Sequence, residues 1–291
     1  MTQEEYKEIS LDTLNFFGEK QCEKVEYVNG TYTTKSCDLQ KLLKKMIGGT
    51  RIYNDKSTYA LPYKNFQSTP NYFVLNDTTI KGALFLFGGN NKVGILNFAS
   101  AIKAGGGWIN GRVAQEEDIM RKTTLFPSLV IQDKFYKEHT KDNPFYSNTI
   151  IYSPNVYIMK DENFQYRALK EINVVTSAAV NLTDIKNNLI LSNYLNDYNN
   201  KNNVDLVTEI MKKRMQRILL IFAENNIKNI VLGAFGCGVF GQDANNIANV
   251  WKYLLKDKHL EKYFDNIVFA VLDNSPNKCN YTPFENLFGQ K

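Results

Sequence analysis

Residues 93–125 constrain the fold more than any other part of this chain of 291 residues. The apolar run Val93–Phe98 is typical of a buried strand. Small residues follow, then Gly105-Gly106-Gly107, and after seven more residues Gln115-Glu116-Glu117 stands at the start of a predicted helix. Glycine N–H groups can approach a ligand closely and adopt positive φ, because no Cβ interferes. A carboxylate pair just beyond such a loop can reach whatever the loop holds.

Two plainer interpretations of this stretch stay open on residues alone. A triple glycine is often only a flexible connector. Acidic residues in the first turn of a helix often interact with the helix dipole and solvent, and need no further role.

Composition argues for an ordinary globular protein without a membrane span. The hydrophobic fraction is 43% and the charged fraction 22%. No apolar stretch is long enough to cross a bilayer, and the beginning MTQEEYKEIS lacks the apolar core of a signal peptide. The net charge of +5 mildly favours anionic partners such as a pyrophosphate, although an ordinary basic surface explains it equally well.

The few cysteines and histidines predict no metal site. The four cysteines are Cys22, Cys37, Cys237 and Cys279, and the two histidines are His139 and His259. The cysteine spacing matches no zinc pattern, and we expect reduced thiols in a cytosol-like compartment. With two histidines in charged surroundings, a histidine-rich metal site and a Ser-His-Asp triad are both disfavoured.

Alternating strand and helix patterns predict an α/β fold with a mainly parallel sheet covered on both faces. Strands are predicted at 72–75, 93–98, 149–153, 156–159, 172–177, 229–232 and 266–272. Helices are predicted at 2–17, 38–47, 79–87, from about 115, at 204–224 and at 244–255. The Asn-rich residues 192–203 are interpreted as a surface loop. Residues 1–70 are expected to form an N-terminal helical extension packed on a catalytic domain of residues 71–291, the two making one compact unit.

A second glycine-rich loop, GAFGCGVFGQ at 233–242, lies between a predicted strand and helix. Backbone N–H groups and the following helix N-terminus suit a phosphate or pyrophosphate. Gly236, Gly238 and Gly241 also match the dinucleotide pattern G-x-G-x-x-G. That pattern should open a long βαβ array, whereas here only one more strand follows, so a nicotinamide cofactor is disfavoured. A purely structural glycine turn stays open.

Several segments in a common order resemble the microbial-type poly(ADP-ribose) glycohydrolases, which are built on a macrodomain. They are LNFAS with GGG and QEE, then IIYSPNVYIMKD, VVTSAAVN, LGAFGCGVFG and VFAVLD. Two positions depart from the family pattern, with Ala104 in place of a proline and Gln242 in place of an asparagine. The resemblance covers nearly the whole chain and implies a three-layer α/β/α macrodomain-like sandwich with a mixed, mainly parallel sheet.

The resemblance also implies roles for individual residues. Glu117 would protonate the leaving ribose oxygen and then activate water, while Glu116 would hold hydroxyls of the scissile ribose. Gln115 would fix the loop, and Asn97 would hydrogen-bond the distal ribose. Gly105, Gly106 and Gly107 would contact the diphosphate and ribose side. In the second loop, Gly236, Cys237, Gly238 and Val239 would wrap the diphosphate, and Phe240 would pack on the distal ribose.

The expected activity is hydrolysis of ribose–ribose O-glycosidic bonds in poly(ADP-ribose), which releases ADP-ribose by carboxyl general acid–base catalysis without a cofactor or metal. The alternatives are removal of single ADP-ribose groups from protein or nucleic acid, and a non-catalytic ADP-ribose-binding module. Expected partners are the polymer or an ADP-ribosylated protein, with nucleic acid only if ADP-ribosylated and no membrane. We expect a monomer in the cytoplasm, or in the nucleus of a eukaryotic cell.

Overall fold

A mixed β-sheet runs through the centre of the molecule. We describe it from a computed structural model, for residues 1–62, 69–88, 91–139, 142–202 and 205–289. Its strands are β1 (Gln21–Val28), β2 (Thr31–Asp38), β3 (Arg51–Tyr53), β4 (Asn71–Leu75), β5 (Val93–Phe98), β6 (Ile150–Lys160), β7 (Tyr166–Ser177), β8 (Asn229–Leu232) and β9 (Asn266–Ala270).

Helices surround this sheet. They are α1 (Gln3–Phe16), α2 (Leu39–Gly49), α3 (Thr79–Phe85), α4 (Gln115–Lys122), α5 (Phe126–Val130), α6 (Asp133–Lys137), α7 (Leu182–Asn187), α8 (Leu189–Asn202), α9 (Leu206–Glu224), α10 (Ala244–Lys252) and α11 (Thr282–Phe288). A 3₁₀ turn spans Trp108–Asn110, a π turn Tyr253–Asp257 and a second 3₁₀ turn Leu260–Tyr263. None of the helices in the described ranges is long and apolar enough to cross a membrane.

The strand order is β2-β1-β7-β5-β8-β9-β4, with β6 pairing β7 and β3. Pairs from β7 through β5, β8 and β9 to β4 are parallel, whereas β1–β2, β6–β7 and β3–β6 are antiparallel. The predicted mixed, mainly parallel sheet is therefore confirmed.

Two hydrophobic cores lie on opposite faces of the sheet. Successive strand residues point to opposite faces, so Ile95 packs in one core and its neighbour Leu96 in the other. Buried residues of α2 to α6 share the core of Ile95, and those of α7 to α11 share the core of Leu96. The predicted three-layer α/β/α arrangement is confirmed.

Several elements differ from the sequence expectations. Residues 192–202 are not a loop but part of α8, because Leu195 is buried and the Asn188 side chain accepts from the N–H groups of Ile190 and Leu191 at the helix start. Asn203 and Val204 lie outside the described residues. The two strand pieces expected around Pro154 form the single strand β6, with a register shift between Ser153 and Val156.

The N-terminal segment contains strands as well as helices. Helices α1 and α2 lie where they were expected, and Asp38 caps α2 by accepting from Lys41 N–H at 3.0 Å. Between them, β1 and β2 form an antiparallel hairpin at the Asn29-Gly30 turn, and β1 joins β7 of the main sheet. The segment is thus not purely helical. The division of the chain at residue 70 stays a prediction.

Candidate active site

The candidate site lies at the carboxyl-end edge of the parallel strands. In open α/β sheets, loops that follow neighbouring parallel strands meet at that edge, and ligands bind there. Here β5 lies between β7 and β8, so the loops after all three converge. The rings of Phe98 and Phe235 pack with centroids 5.5 Å apart and join the end of β5 to the second glycine loop. Gln242 ties that loop to the segment after β7, because its Nε2 donates to Val180 O at 2.8 Å.

Gln115 anchors the start of α4 to the end of β5. Its Oε1 accepts from Phe98 N–H at 2.8 Å, and its Nε2 donates to Leu96 O at 2.7 Å. The same Nε2 also donates to Thr79 Oγ1 at 3.0 Å. A glutamine supplies both a donor and an acceptor, which suits this pairing with strand backbone. The predicted loop-fixing side chain is therefore fully engaged with protein groups.

Glu116 is a buried carboxyl group with protein donors on both oxygens. Its side chain is 3% exposed. Ser100 N–H donates to Oε2 at 2.7 Å, and Asn97 Nδ2 donates to Oε1 at 3.2 Å. Burial raises the pKa of Glu116 to about 8 in spite of these donors, and the adjacent Glu117 carboxylate adds to the rise. Glu116 is thus mainly protonated at neutral pH.

Glu117 contacts the triple-glycine loop directly. Its Oε1 accepts from Gly107 N–H at 2.9 Å, and the residue is 7% exposed. Gly106 has φ of 61°, and a Cβ built there would lie 2.6 Å from Glu117 Oε1 and 3.0 Å from Glu116 Oε2. Only glycine satisfies both the backbone conformation and this close approach. The loop and the two carboxyl groups therefore form one unit.

Asn97 is fully buried beside Glu116 and carries an acceptor without a donor. Its Nδ2 donates to Glu116 Oε1, while its Oδ1 has no hydrogen-bond partner. Leaving a buried acceptor unpaired costs about 1–3 kcal/mol. This cost would be recovered by a ligand that supplies a hydroxyl donor.

The second glycine loop presents backbone to solvent at its tip. Gly236 and Gly241 have φ of 84° and 68°, which any other residue type would adopt only with strain. Val239 is 77% exposed, and a Cβ on Gly238 would meet no atom within 4 Å. Phe240 O, by contrast, accepts from the N–H groups of Leu182 and Thr183. The loop is fixed at its base and open at its tip.

Cys237 does not have the surroundings of a nucleophile. Burial raises the pKa of its thiol to about 12, and Asp243 adds to the rise. A thiol nucleophile reacts as the thiolate, which this environment disfavours. Its place in the loop fits a small packing residue.

The structure adds participants that no sequence motif had indicated. Thr79 and Ser100 hold Gln115 and Glu116, the latter through a backbone N–H that no sequence pattern reveals. Arg121 lies four residues after Glu117 on α4, a spacing that places both on one helix face and was a usable signal.

Comparisons with known proteins agree with this architecture. The family model of the microbial-type poly(ADP-ribose) glycohydrolase (PARG) catalytic domain matches residues 19–161, which include the first glycine loop and both glutamates. Comparison with curated proteins gave no match.

Solved structures extend the similarity to the whole chain. A poly(ADP-ribose) glycohydrolase from Thermomonospora curvata is 25% identical, with a TM-score of 0.82 over 98% of this chain and 100% of that one. A structure of the T. curvata enzyme bound to the inhibitor ADP-HPD gives 24% identity and a TM-score of 0.76 over 97% and 99%. The Deinococcus radiodurans enzyme in complex with ADP-ribose is 27% identical, with a TM-score of 0.71 over 84% and 96%. Residues 19–161 therefore match the catalytic domain of the microbial-type poly(ADP-ribose) glycohydrolases, and the fold of nearly the whole chain is similar to that of these enzymes.

Proposed function

We propose that this protein hydrolyses ribose–ribose O-glycosidic bonds of poly(ADP-ribose) and releases ADP-ribose. The observation that carries the proposal is the joining of Gly105–Gly107 to two buried carboxyl groups, in a chain whose residues 19–161 match this family. A loop without side chains admits the sugar–diphosphate backbone, and the glutamates behind it supply the acid.

In the proposed mechanism, Glu117 is the general acid and base. It protonates the oxygen of the leaving ribose hydroxyl while the glycosidic C–O bond breaks, and the ribose centre gains oxocarbenium character. The resulting carboxylate then takes a proton from the attacking water. Gly107 N–H holds Oε1 at 2.9 Å, which fixes the direction of the side chain. Assistance of this kind contributes roughly a hundred- to ten-thousand-fold in rate.

Glu116 and Asn97 supply the ribose-binding groups. A protonated Glu116 adds no second negative charge beside Glu117 once Glu117 has given its proton to the leaving oxygen, so the two neighbours avoid like-charge repulsion. Its O–H can donate to a ribose oxygen. The unpaired Asn97 Oδ1 can accept from a ribose hydroxyl. This division follows the roles expected from the sequence.

The second glycine loop binds the diphosphate in this proposal. Its open tip at Gly238 and Val239 leaves room for a ligand against the backbone. Helix α10 follows, and Asp243 already caps it by accepting from Asn246 N–H at 2.8 Å. The diphosphate is therefore assigned to the loop backbone from Gly236 to Val239 rather than to the helix end, and Phe240 to the distal ribose. A related enzyme has been solved in complex with ADP-ribose, which is the product expected here.

Two other functions can be distinguished from polymer hydrolysis by assays on long polymer and on singly modified protein. A mono-ADP-ribosyl hydrolase would act on singly modified protein or nucleic acid and spare the polymer. A binding module would hold ADP-ribose without turnover, but such a module has no use for two buried carboxyl groups beside the loop. A monomeric, cytoplasmic protein without membrane contacts belongs to this proposal as well.

The decisive experiment is Glu117→Gln, assayed on long polymer and on singly modified protein. We expect kcat on polymer to fall at least about a hundredfold, because the acid is lost. ADP-ribose should still bind by calorimetry, with a Kd close to that of the wild type. Glu209→Gln, on the exposed face of α9, is the matched control and should retain wild-type turnover. Release of ADP-ribose at the normal rate by Glu117→Gln would contradict the assignment.

A further inference from the structure

Arg121 donates hydrogen bonds to backbone carbonyls next to the first glycine loop. The residue is 1% exposed. Its Nη2 donates to Trp108 O at 2.9 Å and to Arg112 O at 2.7 Å. These carbonyls belong to the 3₁₀ turn Trp108–Asn110 and to the residues that follow it. The guanidinium group thus holds the carboxyl-terminal end of the segment that begins with Gly105–Gly107.

Helix α1 holds Arg121 from the other side. Arg121 Nε donates to Ser10 Oγ at 3.0 Å and to Tyr6 O at 3.3 Å, and its guanidinium carbon lies 4.8 Å from the Tyr6 ring centroid. Ser10 Oγ in turn donates to Trp108 O at 2.7 Å. The N-terminal helix and the loop therefore share one hydrogen-bonded network centred on the guanidinium.

Helix α1 also contacts the loop directly, through atoms other than those of Arg121. Gln3 Nε2 donates to Asn110 O at 2.9 Å. Gly111 has φ of 74°, and any Cβ there would overlap Gln3 O. The helix backbone packs directly on the end of the 3₁₀ turn, so it supports the loop at two points.

A buried guanidinium held mainly by neutral acceptors needs an explanation. Among the described residues, no carboxylate forms an ion pair with Arg121 within contact distance, and burial lowers its pKa. The nearby charges of Glu117 and Asp118 favour its charged form. Burying a charge is costly unless hydrogen bonds compensate it. The compensation here comes from two carbonyls of the loop and from two acceptors of α1, so the charge is coupled to the loop conformation and to its contact with α1.

We infer that Arg121, held by helix α1, is a positioning residue that fixes the Gly105–Arg112 loop so that Gly107 N–H orients the Glu117 carboxyl group. The inference rests on the proposed function for its kinetic consequence, but its structural consequence can be measured without turnover. Arginine suits the task because its planar fork reaches several carbonyls at once, which a lysine ammonium on its flexible stem does not.

The first test is Arg121→Lys, which keeps the charge and removes the fork. Amide hydrogen exchange across residues 105–112 should become at least about tenfold faster, because the carbonyl network is lost. On polymer, kcat per folded molecule should fall at least about tenfold, with a smaller change in KM. The matched control is Arg167→Lys, an exposed arginine paired with Asp161, and it should change neither quantity.

The second test approaches the same network from α1. Ser10→Ala removes one acceptor of Arg121 and one donor to Trp108 O, and Ser36→Ala on the exposed face of β2 is its control. We expect Ser10→Ala to act in the same direction as Arg121→Lys but less strongly. The double variant should be less impaired than the product of the two single effects, because both act through one network.

The outcomes separate this inference from the proposed function. Unchanged exchange at 105–112 in Arg121→Lys, or a loss of thermal stability with normal kcat per folded molecule, would overturn the positioning role. Faster exchange in a protein whose wild type leaves the polymer intact would uphold the loop role and reject the proposed function instead.

Discussion

Glu116 and Glu117 are adjacent in sequence yet face different surroundings. Glu116 points to Asn97 and Ser100 at the end of β5, whereas Glu117 points to Gly107 in the loop. The first position favours a neutral carboxyl group, and the second holds a carboxyl oxygen against a backbone donor. Two residues of one type thereby lie in different environments.

The raised pKa of Glu116 predicts a specific dependence of stability on pH. Its folded pKa of about 8 lies above the ordinary value of 4.5, so the folded state binds the proton more tightly. The contribution is fully present below about pH 4.5, declines as pH rises towards 8, and is absent above that. The groups that act on Glu116 electrostatically are the Glu117 carboxylate and the Tyr136 hydroxyl.

We therefore expect wild-type protein to lose stability relative to Glu116→Gln between pH 5 and 8, by up to about 1.4 kcal/mol per pH unit. Denaturant unfolding of both proteins across this range measures the difference. Parallel stability curves would show that the Glu116 proton is not bound as described. If Glu116→Gln also lost more turnover than Glu117→Gln, the catalytic roles of the two residues would be exchanged.

At this scale the sequence located the residues but not their environments. The spacing from GGG to QEE identified the loop and the carboxyl pair. It could not show that Gly106 packs on both carboxyl groups, or that Asn97 lacks a donor for Oδ1, since both depend on the approach of β5 to α4. The roles assigned to these residues stay predictions until the variants are measured.

Among the elements, the second glycine loop contains glycines with separable purposes. Gly236 has φ of 84°, and a Cβ there would lie 2.7 Å from the Ala179 Cβ and 2.8 Å from Gln242 Cγ. Gly238 has free space around it. The first glycine shapes the loop, and the second leaves room for a ligand.

We expect Gly236→Ala to lower the free energy of unfolding by at least about 1 kcal/mol, because left-handed backbone penalises a side chain. Gly238→Ala should leave the thermal midpoint near that of wild type but weaken ADP-ribose binding at least about tenfold, or about 1.4 kcal/mol. Thermal melts and calorimetric titrations measure the two effects. Gly48→Ala in α2, where a Cβ meets nothing within 4 Å, is the control for both. Normal ADP-ribose affinity in Gly238→Ala would place the diphosphate elsewhere.

Element prediction succeeded where one signal dominated. Strands β5 and β8 were predicted with their observed bounds, because each is a short apolar run with clear flanks. Helix α8 was missed because its asparagines have low intrinsic helix propensity, while burial of Leu195 and an Asn188 cap decide the structure. The β1–β2 hairpin was missed because its strands are polar and lack a clear alternation of apolar residues.

At the scale of the whole molecule, the N-terminal segment pairs with strands of the main sheet and packs in one of its cores. Strand β1 pairs with β7, and β3 pairs with β6. Leu39 and Met46 of α2 are fully buried in the core that also contains Ile95. Because the segment shares these contacts, we expect it to unfold together with the rest of the chain.

We expect the chain of 291 residues to unfold in a single cooperative transition and residues 71–291 alone to show none. Removing residues 1–70 would expose apolar surface of the core, and β7 and β6 would each lose one neighbouring strand. Calorimetry on both proteins measures this. A sharp transition in the shorter protein would instead support an independent domain that begins near residue 71.

Strand β5 pairs in parallel with a strand on each side. Its side chains alternate between the two faces of the sheet, so the position of each residue along the strand decides whether its side chain reaches the site. Inserting one residue within it would exchange Asn97 with an apolar neighbour and shift the start of the glycine loop. Length variation in evolution or engineering should therefore be absorbed elsewhere, for instance at the exposed Asn29-Gly30 turn, and relatives that catalyse the same reaction should keep this strand free of insertions and deletions.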